Sequence, residues 1–203
     1  MKKGILVLSV LVLVVGSVSA LYYEKGDGIF SIRAGVSFPA LTHFPNKGET
    51  YRWFYTGKDN GEDTGLKLGG EAFLSYQAFL TRKVALGGEL GYCFNASRDK
   101  DFMYTTIPLT VKFSVFPVQT GRFDLVFNLN AGACFNRFDD YRKINPIAMV
   151  SVNPQFYISD SWGLGLELGC WANFETYPKS KANYENNCIA LFLPATIAVT
   201  YRH

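Results

Sequence analysis

Eight stretches of this 203-residue chain alternate, residue by residue, between bulky apolar side chains and small or polar ones. That period is the mark of β-strands whose two faces meet different surroundings. The clearest run lies between Val84 and Phe94. Val84, Leu86, Leu90, Tyr92 and Phe94 point one way, and Ala85, Gly87, Glu89, Gly91 and Cys93 the other. The remaining runs cover 30–38, 66–80, 107–115, 123–135, 150–158, 164–174 and 191–201. Their connections alternate in length. Three are tight, at 81–83, 117–121 and 159–161, and four are long, at 39–64, 95–103, 136–146 and 175–188. An even number of strands, with short turns on one rim and long loops on the other, describes an up-and-down barrel.

The chain opens with Lys2 and Lys3, an apolar run over 5–15, and the small-residue end Val18-Ser19-Ala20. This is the pattern of a secretory signal peptide, and the run is too short for a membrane span, which takes about 20 apolar residues. We therefore expect a signal peptide over 1–20, cleavage after Ala20, and one mature domain over 21–203. Setting Lys2 and Lys3 aside from the 20 Lys and Arg leaves 18 basic residues against 17 acidic ones, a balance that calls for no nucleic-acid partner. Aromatic residues make up 16% of the chain and charged ones only 18%, which is apolar for an exported protein. Yet every apolar stretch beyond the leader is broken within a few residues by Gly, a charge or an amide. Only helices and closed barrels satisfy backbone polar groups inside lipid. The expected fold is all-β: an eight-stranded antiparallel up-and-down transmembrane β-barrel.

Volume decides which face lies inside. An eight-stranded barrel has an interior just wide enough for side chains. The face rich in Gly, Ala, Ser, Thr and Asn fits that space, and the Leu, Val, Ile and Phe face fits lipid. Phe30, Tyr76, Phe123, Phe156, Trp162 and Tyr201 lie near strand ends on the outward face, where interfacial girdles belong.

Inward charges need partners. Glu89 and Lys112 fall on adjacent strands at matching heights, and Arg33 belongs near that level with Glu71 and Glu167. A lumen network of Arg33, Glu71, Glu89, Lys112 and Glu167 is expected, with Asp124 nearer the short-turn rim. It reads as a plug that rigidifies the barrel; a proton or ion path is the other reading. Cys93, Cys134, Met149, Trp171 and Phe192 point inward near the long loops, where they either line an apolar vestibule or pack to close the top. Tyr51, Arg52, Trp53, Phe54 and Tyr55 in the first long loop form either a surface contact or an extension of the wall. The four cysteines permit three disulfide connectivities, including a Cys93–Cys134 bridge across the lumen, with Cys170 outward and Cys188 in the last loop. Their spacings match no zinc or redox motif, and no cofactor is expected.

The segments 157–164, 79–86 and 32–35 resemble strand-turn-strand and first-strand sequences of OmpW-like proteins. The segment 107–113 resembles a strand common to the wider group that includes the OmpX and OmpA membrane domains. The resemblance implies an outer-membrane location and contact with outer-membrane lipid and the barrel insertion machinery. It also implies either a structural or surface role, with a host or envelope ligand, or a narrow channel for small apolar solutes. Some small barrels act on lipid A through a Ser and a His in the wall. Here His43 falls in a long loop and His203 ends the chain, so no enzyme is expected. The insertion machinery usually reads a terminal aromatic residue, and Arg202 and His203 depart from that pattern.

Overall fold

The structure, a computed structural model, describes residues 23–53, 64–98, 102–138, 141–177 and 182–203. The expected signal peptide and its cleavage point lie outside these residues, as do Phe54 and Tyr55. Nine strands follow in order: β1 Gly28–Phe44, β2 Glu49–Arg52, β3 Gly69–Thr81, β4 Val84–Ala96, β5 Met103–Gln119, β6 Phe123–Phe138, β7 Tyr141–Tyr157, β8 Trp162–Glu175 and β9 Cys188–Arg202. β3 to β9 pair antiparallel one after another, β3 also pairs with β1, and β9 pairs back onto β1, so eight strands close a barrel. The ninth, β2, takes the place of β3 beside the upper part of β1, from Leu41↔Arg52 to Phe44↔Glu49.

The expected loop over 39–64 is thus partly sheet, and His43 is a strand residue. Most strands also run further than the alternation indicates. In β7 the cause is visible: Ile147 and Met149 face inward and are buried, while the outward positions include Arg142 and Pro146. Where the lumen itself is apolar, the contrast between faces disappears although backbone pairing continues.

The wall is apolar outside and the lumen is mostly polar. Leu109 and Ile197 are 65% exposed and Ile144 71%, whereas Ser37, Thr106 and Ser114 are fully buried. An apolar exterior on every strand has no place in water. It is the lipid-facing pattern of a membrane barrel. Outward aromatics pair across strands near the short-turn rim, Phe123 with Phe156 at 4.8 Å and Trp162 with Tyr201 at 4.9 Å between ring centres. Both barrel ends of the chain meet at this rim, where Gly28 N–H donates to the His203 carbonyl (2.9 Å) and His203 N–H to that of Gly28 (3.0 Å).

Candidate functional site in the barrel lumen

The register fixes the middle of the lumen. Arg33 lies opposite Phe73 and Phe73 opposite Gly91, so three strands present their inward side chains at one level. A Cβ on Gly91 would come within 2.3 Å of the Phe73 ring; the glycine leaves the room that ring fills. The Arg33 guanidinium lies 3.7 Å over the same ring and reaches three carboxylates. Its contacts are Nη2 to Glu89 Oε1 at 2.8 Å, Nη1 to Glu71 Oε1 at 3.3 Å and Nε to Glu167 Oε1 at 3.5 Å. Lys112 Nζ donates to the other Glu89 oxygen at 2.9 Å. Neutral donors complete the shell: Asn130 Nδ2 to Glu89 (2.7 Å), the Ser151 hydroxyl to Glu167 (2.7 Å) and Trp171 Nε1 to Glu71 (3.2 Å). All five charged side chains are at most 5% exposed. Buried charges persist when they are paired and hydrogen-bonded in this way. The structure therefore brings Arg33, Glu71, Glu89, Lys112 and Glu167 into one cluster.

Above it, toward the long loops, Phe73, Cys93, Cys134, Ile147, Met149, Trp171 and Phe192 form a buried apolar layer. Trp171 stacks on Phe192 at 4.0 Å and Phe192 on Tyr104 at 5.9 Å. Of the five residues considered for a vestibule, Phe192 borders the open space at the long-loop mouth. Cys93, Cys134, Met149 and Trp171 lie beneath it, 0–5% exposed, in one buried apolar layer. The open space is a cavity of about 210 Å³ at the long-loop mouth, bordered by Phe44, Leu66, Tyr104, Phe138, Glu175 and Phe192, among others. All four cysteines are free thiols; Cys188 begins β9 and its thiol donates to Glu175 at 3.4 Å.

Below the charges, the short-turn mouth holds a residue the alternation could not place. Tyr23 precedes β1 and enters the lumen, stacked on Phe79 at 3.9 Å. Its hydroxyl donates to Asp124 (2.8 Å) and shares a 2.6 Å hydrogen bond with the Tyr157 hydroxyl. Burial first, then Tyr157 and Asp124, raises the Tyr23 phenol far above its ordinary range and keeps it protonated. Gly26, at φ 101°, turns the chain back toward β1, and its N–H donates to the Phe79 carbonyl. Arg202 points inward, its guanidinium 3.9 Å over the Tyr157 ring, and donates to the carbonyls of Asp160 and Gly121. Its parity with outward Tyr201 was the available signal in the sequence. Between this layer and the charges lies a void of about 20 Å³ beside Lys112 and Asn153, the size of one water.

At the opposite rim Tyr51 and Arg52 lie in β2. Tyr51 packs edge-on against Phe44 and donates to Glu49 at 2.8 Å, and Trp53 packs against Phe38 at 5.5 Å. These residues extend the wall as a hairpin, and Arg52 is exposed on it.

A closed barrel with an apolar wall and a buried, polar-centred lumen is a membrane β-barrel of eight strands. A protein-family model matches residues 14–201. Among solved structures, the outer membrane protein OprG from Pseudomonas aeruginosa is 10% identical over 91% of this chain and 99% of that one, with a TM-score of 0.50. Ail, the attachment invasion locus protein of Yersinia pestis, in complex with the heparin analogue sucrose octasulfate, is 11% identical over 88% and 99%, at 0.50. The outer membrane protease OmpT from Escherichia coli is 9% identical over 93% and 100%, at 0.43. No curated protein matches the sequence. Likeness at these identities speaks to fold alone. The chain shares its fold, an eight-stranded membrane β-barrel, with these outer-membrane proteins.

Proposed function

We propose that the protein is an integral barrel of the bacterial outer membrane with a structural or surface role and a lumen closed to solutes. Short turns then face the periplasm and long loops the exterior. The observation that carries this is the filled lumen: an aromatic layer under Tyr23, the five-charge cluster, and the apolar layer around Trp171. Lipid of that membrane and the barrel insertion machinery are the partners this reading requires. The β2 hairpin with Arg52 is the surface it offers to a host or envelope ligand. A non-enzymatic role is supported by the two histidines, which stand at opposite rims, His43 against Thr50 Oγ1 (2.9 Å) and His203 against Tyr76 and Tyr201. Electrophoresis of membrane fractions should show a heat-modifiable band, and the purified barrel should conduct no ions in planar bilayers. A steady conductance would overturn the plug. The mature form should begin at Leu21 by N-terminal sequencing.

The mouth cavity favours a second reading, uptake of small apolar solutes. At about 210 Å³ it is smaller than drug-sized pockets but large enough for a compact apolar molecule. Saturable binding of an apolar dye, abolished by Phe192→Arg, is the result that reading demands.

A further inference from the structure

Along the outward faces of the eight barrel strands, two of the described side chains carry a full charge, and they stand directly opposite each other. Arg137 near the end of β6 pairs with Arg142 near the start of β7. Both are exposed, and among the described residues neither makes a hydrogen bond or ion pair. Like charges directly opposite on a sheet destabilise the pair. Here the arrangement persists at a particular height. The cross-strand pair immediately below is Phe135↔Ile144, with Ile144 among the most exposed apolar residues of the wall. At about 3.3 Å per residue and a tilt of about 40°, β6 climbs about 30 Å from Phe123 to Phe135, the thickness of a hydrocarbon layer. Arg137 and Arg142 lie one outward position further, about 5 Å beyond the apolar band on the same scale. That is the level of lipid headgroups.

We propose that Arg137 and Arg142 form a clamp for a phosphate group of a lipid in the leaflet on the long-loop side. Two guanidinium groups from opposed positions can each give paired N–H donors to one phosphate, which also cancels their mutual repulsion. Ile144 and Phe135 beneath them receive the acyl chains. A free phosphate shares the headgroup chemistry but makes no use of that apolar column, and the position of the pair directly above it argues for the lipid. The proposal rests on the membrane orientation given above; on that orientation the lipid is the phosphorylated glucosamine lipid of the outer leaflet.

The test is native mass spectrometry of the purified full chain mixed with bisphosphorylated lipid A, enzymatically dephosphorylated lipid A, or inorganic phosphate. Wild type should retain the phosphorylated lipid in preference to the dephosphorylated one. Arg137→Gln/Arg142→Gln should lose about thirty-fold in retention, as expected for two basic residues at an anionic surface, with Arg137→Lys/Arg142→Lys in between. Equal retention by wild type and the double Gln variant would overturn the proposal. So would equal retention of both lipids by wild type, a comparison that needs no variant to fold. Inorganic phosphate displacing the lipid at equimolar concentration would show an anion site and not a lipid site. Failure of the underlying membrane reading looks different: wild type would not insert into lipid vesicles at all.

Discussion

Replacing Arg33 with Met removes the guanidinium that touches three carboxylates while keeping an unbranched chain to pack on Phe73. At an effective dielectric constant of about 20, each of its contacts at 2.8, 3.3 and 3.5 Å has a gross attraction of about 5–6 kcal/mol. Desolvation of Arg33 and repulsion among the carboxylates offset most of that sum in the native protein. What the substitution exposes is different: Glu71 and Glu167 are left buried with neutral donors alone, and Lys112 reaches only Glu89. Removing one partner of a buried ion pair costs about 3–5 kcal/mol, and Arg33→Met should fall in that range. The assay is urea unfolding in phospholipid vesicles followed by tryptophan fluorescence, with the heat-modifiable band reporting barrel closure. Adding Glu71→Gln and Glu167→Gln to Arg33→Met should recover more than half of the loss, because the uncompensated charges are then gone. A loss below about 1 kcal/mol for Arg33→Met, with an intact band, would refute the reasoning. It would mean that water reaches the carboxylates and the cluster does not hold the lumen.

Tyr23→Phe should cost about 1–3 kcal/mol, because Asp124 and the Tyr157 hydroxyl lose their shared partner inside the mouth; the temperature at which the heat-modified band shifts reads it. The raised pKa of Tyr23 adds a pH dependence. Its contribution is complete below the unfolded value of 10.0 and is lost as pH rises above it, so alkaline destabilisation beginning there should be weaker in Tyr23→Phe than in wild type. Gly91→Ala should cost about 1–3 kcal/mol by displacing Phe73 and with it the guanidinium stacked above, and urea midpoints in vesicles check it.

The architecture was legible because a barrel wall between lipid and a narrow lumen imposes period two on every strand, and Val84 to Phe94 shows it without interruption. The central charges were legible for the same reason: parity puts Arg33, Glu71, Glu89, Lys112 and Glu167 inside, and distance from the short turns puts them at one level. The alternation of the 66–80 run also points Phe73 and Phe79 inside, but an expectation of small lumen residues hid them, and Phe116 lies just past the 107–115 run. Room for a ring comes from glycine on the neighbouring strand, as Gly91 provides for Phe73, and that pairing emerges only from the register. The upper ends of β6 and β7 were missed because the alternation breaks there: Arg137, Arg142 and Pro146 face outward while Ile147 and Met149 face the lumen. Tyr23 belongs to no strand, and no local pattern announces that a residue ahead of β1 folds back into the mouth.

The layers of the lumen are not independent stoppers. Trp171 stacks on Phe192, which borders the mouth cavity, and its indole N–H donates to Glu71, which in turn meets Arg33. A solute that pushed past Phe192 would have to unstack Trp171 and draw its N–H away from a buried carboxylate. That carboxylate would then depend on Arg33 alone, and Arg33 is already shared with Glu89 and Glu167. Passage from the cavity inward would therefore disturb the charge cluster, and losing one buried ion-pair partner alone costs about 3–5 kcal/mol. Solutes that enter the mouth should stop at the aromatic floor, so the proposed closed lumen and binding in the mouth cavity are compatible readings of one barrel.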